Sequence, residues 1–210
     1  MARILAIALF VTSLVLPAAS AHTGGRPGLK AGNRSSKGVT VILVVDRSGS
    51  MSGQKIDRTR KAAALVIGRL RKTDWVGVLA FDTTPRVLSP LSRVGNRKAH
   101  LTSVGRLTAG GGTSFLPVLH AALKMINLAP AGHRRHVIFL SDGQSGRLGV
   151  MSAIHALVRA RATLSTIALG QGADTVFLGK MARIGKGRAH ATTSTGLAAV
   201  CRKELRHVGR

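Results

Sequence analysis

The sequence predicts an α/β protein built on a mostly parallel sheet with helices on both faces. Short apolar runs rich in β-branched residues, without polar alternation, are typical of strands buried on both faces. Between these runs lie segments with apolar positions at helical spacing, which favours crossover connections between parallel strands. A length of 210 residues is enough for one good core and short for two, so we expect a single domain.

The first 37 residues have the character of a leader and a linker. A basic start, an apolar run over residues 4–16 and the small residues Ala19-Ser20-Ala21 predict a signal peptide over residues 1–21. An uncleaved anchor is the alternative, but the run is shorter than the about 20 residues that span a membrane. Residues 22–37 are rich in Gly, Ser and basic residues and predict a flexible linker. We therefore expect an exported, periplasmic or extracellular protein that is not integral to the membrane, with its domain over residues 38–210.

The strands are predicted from continuous apolar runs bounded by turn residues. Pro85 and Pro90 lie in the segment after the second run, where they fit only an edge strand, since proline gives the ladder no donor. The predicted strands are Val39–Val45, Trp75–Phe81, His136–Leu140, Thr163–Leu169 and a short one near Ala189–Thr192, of which the first and third are expected to be buried.

The helices are predicted from apolar residues at helical spacing among charged ones. In the first of them, Ile56, Ala63, Val66, Ile67 and Leu70 recur among Arg and Lys residues. The predicted helices are Lys55–Leu70, Asn96–Leu107, Ser114–Leu128, Gly149–Arg161, Thr175–Ile184 and Gly196–His207.

The net charge of +25 admits two interpretations. One is an electrostatic footprint for nucleic acid, anionic lipid or an acidic polymer. The other, which we favour, is a general bias toward basic residues, which are scattered from Arg26 to Arg210 without forming one block. One Trp, no Tyr and five Phe argue against base-stacking platforms, so we expect no specific nucleic-acid site and only non-specific binding to anionic polymers or lipids.

The single cysteine, Cys201, has no partner for an intramolecular disulfide. We expect a half-buried apolar residue near the C-terminus in preference to a bridge between two copies. The sequence leaves the oligomeric state open.

Three loops at predicted strand ends or helix starts carry short oxygen-bearing side chains beside glycines. Asp46, Ser48 and Ser50 follow the first strand, Thr113 follows three glycines, and Asp142 follows the strand His136–Leu140. In such sheets ligands bind beyond the carboxyl ends of the strands. Mg²⁺ prefers six oxygen ligands, and a cation there would offset the cost of a carboxylate at the rim of an apolar sheet. Each loop alone is an ordinary turn or helix cap.

Together these residues resemble a known pattern. The series D-x-S-x-S, then Thr, then Asp is similar to the metal-ion-dependent adhesion site of the von Willebrand factor type A domain. The similarity extends through "VGVLAFDTTPRVLSPL", "HVIFLSDGQS" and "STIALG", which resemble bacterial members, and covers roughly residues 38–193.

The resemblance implies a Rossmann-like sheet with one antiparallel edge strand and a cation at its top. It implies that Ser48, Ser50 and Thr113 coordinate Mg²⁺ or Mn²⁺ directly, and that Asp46 and Asp142 act directly or through water. One coordination position stays open, and in the family an acidic side chain of a protein partner fills it.

The motifs of several enzyme classes are missing. Neither Ser48 nor Ser50 has the glycine two positions earlier that a nucleophile elbow needs. "GGGTSF" lacks the lysine of a phosphate loop, and "GQGADT" lacks the third glycine of a dinucleotide fingerprint. We therefore expect no catalytic residues.

Four further side chains receive weaker expectations. His133 and His136 are expected to be solvated loop residues, and Asp82 a turn residue in preference to an outer partner of the metal. Arg47 either points to solvent or steers acidic partners.

Two functional hypotheses follow from the sequence. The first is an exported, non-enzymatic binding module that captures an acidic residue of a protein partner through its bound cation. The alternative is a basic protein that binds polyanions or membrane surfaces and whose metal site is structural.

Overall fold

The fold is a six-stranded sheet covered by helices on both faces, in a computed structural model that describes residues 38–208. The strand order is β3-β2-β1-β4-β5-β6. All neighbouring pairs are parallel except β2 with β3, which are antiparallel. The strands are β1 (Val39–Asp46), β2 (Trp75–Phe81), β3 (Pro85–Arg93), β4 (Arg134–Ser141), β5 (Ala162–Leu169) and β6 (Lys186–Thr192). The helices are α1 (Gln54–Arg69), α2 (Arg97–Gly105), α3 (Phe115–Ile126), α4 (Val150–Arg159), α5 (Thr175–Ile184) and α6 (Leu197–Val208). The fold class predicted from the sequence is confirmed.

Strand β1 lies at the centre of the sheet and is buried along its whole length. Val41, Leu43 and Val45 face a core shared with α1, α2 and α6, whereas Ile42 and Val44 face a second core shared with α3, α4 and α5. Because successive side chains of a strand point to opposite faces, a strand with a core on each side has no polar alternation.

The edge strand β3 accommodates both of its prolines. Pro85 pairs with Phe81 at the first position of the strand, and Pro90 lies where the register between β2 and β3 shifts. A bulge leaves residues out of the ladder, so a proline there removes no ladder hydrogen bond. The edge strand expected from the prolines is confirmed.

Strand β6 is longer than its predicted segment near Ala189–Thr192, since it begins at Lys186. Its first residues are polar and partly exposed because β6 is the other edge of the sheet. Polar edge residues carry no apolar signal, which is why the sequence pattern missed them.

Phenylalanines form the centre of the second core. The rings of Phe81, Phe115 and Phe139 lie 4.9 to 5.7 Å apart in edge-to-face and tilted pairs. All three are fully buried, so none offers a stacking platform for a base.

Cys201 is more buried than its predicted half-buried state, with 2% of its surface exposed in the first core. Burial raises the pKa of its thiol to about 12, so the thiol stays protonated and unreactive at neutral pH.

No helix within residues 38–208 is long and apolar enough to cross a membrane. The predicted signal peptide and linker, residues 1–37, lie outside the described residues.

Candidate metal centre

The two carboxylates of the candidate centre lie at the carboxyl ends of neighbouring strands. Asp46 is the last residue of β1, and Asp142 directly follows β4, with Val45 of β1 paired to Leu140 of β4. Both are buried, with 0% and 6% of their surface exposed. The parallel sheet thus brings together two acidic residues that are far apart in the chain.

The loop after β1 folds back onto its own aspartate. The Ser48 N–H donates to Asp46 Oδ1 at 2.8 Å, and a single turn of 3₁₀ helix follows over Gly49–Met51. The hydroxyl oxygens of Ser48 and Ser50 lie 3.0 Å apart. The two hydroxyls therefore meet on one side of the loop, as their spacing predicts.

The glycine-rich loop is fastened to this first loop by two backbone hydrogen bonds. The Gly49 N–H donates to Gly111 O at 3.0 Å, and the Gly110 N–H donates to Arg47 O at 2.7 Å. Gly111 has a φ of +83°, and a Cβ there would lie 2.9 Å from Asp82, so the close approach requires glycine.

Thr113 follows two residues later and is half-buried. Its hydroxyl makes no hydrogen bond with any residue between 38 and 208, whereas its carbonyl accepts from Ser145 Oγ at 3.4 Å. The loop contacts bring Thr113 to the same end of the sheet with its hydroxyl unused.

Burial dominates the electrostatics of Asp46. Burial raises the pKa of Asp46, the hydrogen bonds from Ser141 and Ser48 offset part of this increase, and the neighbouring Asp142 adds a smaller increase. The facing positive charge is Lys55 Nζ, 3.3 Å from Asp142 Oδ2, on a partly exposed side chain. A buried pair of carboxylates with one surface ammonium favours an additional cation.

The donor set fits a hard divalent cation. Two carboxylates and three hydroxyls are oxygen ligands of the kind that Mg²⁺ and Mn²⁺ prefer. Between residues 38 and 208, no group of three or more His, Cys, Asp or Glu side chains is arranged to hold a metal ion. A metal centre in this part of the chain therefore depends on hydroxyl oxygens as well as carboxylates.

Two residues beside the candidate centre, Ser141 and Lys55, are not expected there from the sequence. Ser141 donates to Asp46 Oδ2 at 2.5 Å and accepts from the Gly143 N–H at 2.9 Å, so it links the two acidic loops. Lys55 balances part of the charge of Asp142. Ser141 could have been found as the hydroxyl beside Asp142, but the helical pattern around Lys55 gave no signal of its role.

Arg47 does not point to solvent. Its guanidinium lies 2.5 Å from Asp82 Oδ2 and donates through Nε to Thr108 O at 2.7 Å, with 15% of the side chain exposed. Asp82 accepts from the Thr84 N–H at 2.9 Å, which confirms the expected turn residue. This hydrogen bond lowers the pKa of Asp82 and, with Arg47 and Arg86, outweighs the opposing effect of burial.

The expectation of solvated loop histidines is wrong for His136. It lies within β4 with 5% of its surface exposed, donates to or accepts from Thr163 Oγ1 at 2.7 Å, and has Nε2 3.2 Å from Glu204 Oε1. The local Arg-rich sequence concealed the burial because Glu204 is on the distant helix α6. His133 is half-buried, and its Nδ1 lies 3.1 Å from Thr40 Oγ1.

The fold and the grouped loops define an open α/β domain with an oxygen-rich site at the carboxyl edge of its sheet. A family model described as the von Willebrand factor type A domain matches residues 41–144. The chain belongs to the von Willebrand factor type A family, as the resemblance of its motifs indicated.

Among solved structures, a von Willebrand factor type A protein from Catenulispora acidiphila aligns over 82% of this chain and 43% of its own, with a TM-score of 0.77 and 24% identity. Proximal thread matrix protein 1 from the mussel byssus, described with a zinc-occupied MIDAS motif (metal-ion-dependent adhesion site), aligns over 82% of this chain and 48% of its own. That likeness has a TM-score of 0.72 at 15% identity and shows the fold alone.

Among curated relatives, calcium-activated chloride channel regulator 1 of Equus caballus is 30% identical over 137 residues. The match covers 63% of this chain and 15% of the relative. The curated relatives are much longer proteins, of which the chain spans 26% or less in the first matches.

Proposed function

We propose that this domain is an exported binding module that holds Mg²⁺ or Mn²⁺ and captures an acidic side chain of a protein partner. The cation would be held by Asp46, Ser48, Ser50, Thr113 and Asp142. The observation that carries the proposal is the meeting of two buried carboxylates with two hydroxyls 3.0 Å apart at one edge of the sheet.

The balance of ligands supports a role in binding. Three of the five side chains are neutral hydroxyls, so a divalent cation that one or both carboxylates hold through water keeps positive charge toward an incoming carboxylate. When bound, the cation supplies this attraction. The chain's own residues orient it, since Asp46 is fixed by the Ser48 N–H and the Ser141 hydroxyl.

The hydroxyls of the site are not arranged for nucleophilic catalysis. The hydrogen bonds of Ser48, Ser50 and Ser141 go to Asp46, to each other or to backbone, and none goes to a histidine that could act as a base. This supports a non-enzymatic module, in line with the protein-interaction character of the family.

Partner capture is tested by affinity purification from an envelope fraction of the producing cells. The protein retains its partner in Mg²⁺ and releases it in chelator, and Asp142→Asn abolishes retention. Asp57→Asn is the matched control, since Asp57 lies on α1 with 59% of its side chain exposed and pairs only with Arg60 among the described residues. Retention that persists in chelator, or that Asp57→Asn removes equally, contradicts the proposal.

Export is tested by the mass of the protein recovered from the periplasm or medium. Cleavage after Ala21 leaves a chain that begins at His22. Recovery of the full-length mass in the cytosol alone contradicts export.

A further inference from the structure

A second site lies at the opposite edge of the sheet from the candidate metal centre. The amino ends of β4, β5 and β6, with the last turns of α6, line a cavity of about 420 Å³ that is open to solvent. Its lining includes Arg134, Arg135, Arg161, Lys186 and Arg188. These basic residues are scattered along the sequence, and the fold brings them to one cavity.

The one carboxylate of the lining does not neutralise these cations. Glu204 is buried and accepts from Ser165 Oγ at 2.6 Å, while His190 Nε2 lies 2.7 Å and His136 Nε2 3.2 Å from its oxygens. Its oxygens are therefore committed to partners on β4, β5 and β6, and the cavity keeps a strong excess of positive charge.

Two of the basic residues occupy backbone positions that favour glycine. Arg161 has a φ of 58° and Lys186 a φ of 53°, and within residues 38–208 they are the two non-glycine residues in the left-handed region. Each follows the C-terminal end of a helix, α4 and α5, where glycine is usual because a Cβ is disfavoured there. Strained backbone of this kind clusters at functional sites, and here both strained residues carry long cationic side chains into the same lining.

Within the described part of the chain, three of the five cations of the cavity lack side-chain acceptors, and the guanidinium of Arg134 is only partly satisfied, by donation from Nη2 to Val208 O. The exposed side chains of Arg161, Lys186 and Arg188 make no salt bridge or hydrogen bond with another residue in the range 38–208. The buried Nε of Arg134 has no hydrogen-bond partner in the same range. Arg135 is held in place by donation to Ala160 O at 3.0 Å. Cationic side chains without protein acceptors, next to the fixed guanidinium of Arg135, favour the binding of an anionic ligand.

We infer that this cavity binds a small molecule that carries phosphate groups. Guanidinium groups match phosphate oxygens through paired hydrogen bonds, which point charges such as ammonium do not. The volume falls within the about 300 to 1,000 Å³ of small-molecule sites, so the cavity accommodates more than one phosphate group. The inference is independent of the metal centre and of partner capture.

The test is isothermal titration calorimetry of inorganic pyrophosphate and of inorganic phosphate into the purified protein. The buffer contains about 150 mM monovalent salt, which screens distant charges, and no divalent cation. We expect saturable binding of one pyrophosphate per chain, tighter than phosphate. The double variant Arg161→Gly/Lys186→Gly weakens pyrophosphate binding by about tenfold or more, because it removes two charged donors.

The same variant separates ligand binding from folding. Glycine relieves the left-handed backbone at both positions, so the thermal midpoint stays equal or rises while binding is lost. The charge-matched control is Arg58→Gln/Lys61→Gln on the exposed face of α1, which leaves pyrophosphate affinity within about twofold of the original protein.

Three outcomes overturn the inference. The first is that the original protein does not bind pyrophosphate at millimolar concentration. The second is that both double variants lose pyrophosphate affinity equally, and the third is that the Arg161→Gly/Lys186→Gly protein binds pyrophosphate as tightly as the original protein. Equal losses would assign the binding to net charge alone.

Discussion

The buried carboxyl of Glu204 allows a quantitative prediction of how the stability of the fold depends on pH. Burial raises the pKa of this carboxyl, but the hydrogen bonds from His136, Ser165 and His190 outweigh burial and lower the pKa to about 2, from an ordinary value near 4.5. A carboxyl whose pKa is depressed in the folded state stabilises the fold above its unfolded pKa and loses that contribution as the pH falls toward its folded pKa.

The expected contribution of Glu204 to the free energy of unfolding follows from its pKa shift. A shift from 4.5 to about 2 corresponds to about 3 kcal/mol of unfolding free energy at pH 5 and above. Linkage leaves about 1 kcal/mol of it at pH 3. Glu204→Gln removes the ionisation while keeping the shape of the side chain, so the variant lacks this contribution at every pH.

The assay is urea unfolding of the original protein and of Glu204→Gln, followed by circular dichroism at several pH values between 5 and 3. This range lies below the ordinary pKa of histidine, so free imidazole groups are already protonated throughout. We expect the difference in unfolding free energy to fall from about 3 to about 1 kcal/mol as the pH falls. A difference that stays constant over this range would show that Glu204 stabilises the fold by packing alone and that its ionisation contributes nothing.

Three further predictions concern packing, thiol reactivity and the metal centre. Gly187→Ala places a Cβ 2.1 Å from a carbonyl oxygen of β5, so we expect urea unfolding to show a free energy of unfolding lower by about 1 to 3 kcal/mol. The control Gly179→Ala in α5 places its Cβ where no atom lies within 4 Å, so the same assay should show an increase of up to about 1 kcal/mol. Equal effects of the two substitutions would contradict this prediction. Cys201 resists alkylation at pH 8 in the folded protein and reacts in urea, followed by mass spectrometry, and rapid labelling of the folded chain would contradict its burial. Lys55→Met removes the ammonium beside Asp142 and tightens Mg²⁺ binding by about two- to fivefold in calorimetry, and weaker binding would show that Lys55 supports the site.

The sequence predicted the sheet well because parallel strands are buried on both faces. In Val39–Val45 and Trp75–Phe81 the apolar signal is interrupted only by Thr40 and Gly77, neither of which is charged, and the observed bounds agree within one residue. The helices agree within a few residues for the same reason, since one apolar face of each packs against the sheet. The polar start of β6 gave no such signal because it lies at an exposed edge.

The candidate metal residues could also be predicted, because the carboxyl ends of parallel strands must meet at one edge of the sheet. That geometry brings the loops of Asp46 and Asp142 together whatever the intervening sequence. The identity of the bound cation and of the partner stays a proposal.

The cluster around Glu204 could not be predicted. Glu204 is the one acidic residue of α6, and nothing in the neighbouring sequence distinguishes a buried glutamate from a solvated one. Its burial follows from His136 on β4 and His190 on β6, which only the folded sheet brings beside it. The left-handed backbone conformation of Arg161 and Lys186 could not be predicted from the sequence either, because neither arginine nor lysine favours positive φ.

The proposed function depends on one divalent cation held by the three loops. This binding is measured by calorimetric titration of Mn²⁺ and Mg²⁺ into the purified protein and into the variants Ser48→Ala/Ser50→Ala, Asp142→Asn and Asp57→Asn. We expect one saturable site per chain that is lost in the first two variants and kept in the third. Absence of saturable binding at millimolar cation, or affinity that the first two variants leave unchanged, would contradict the claim.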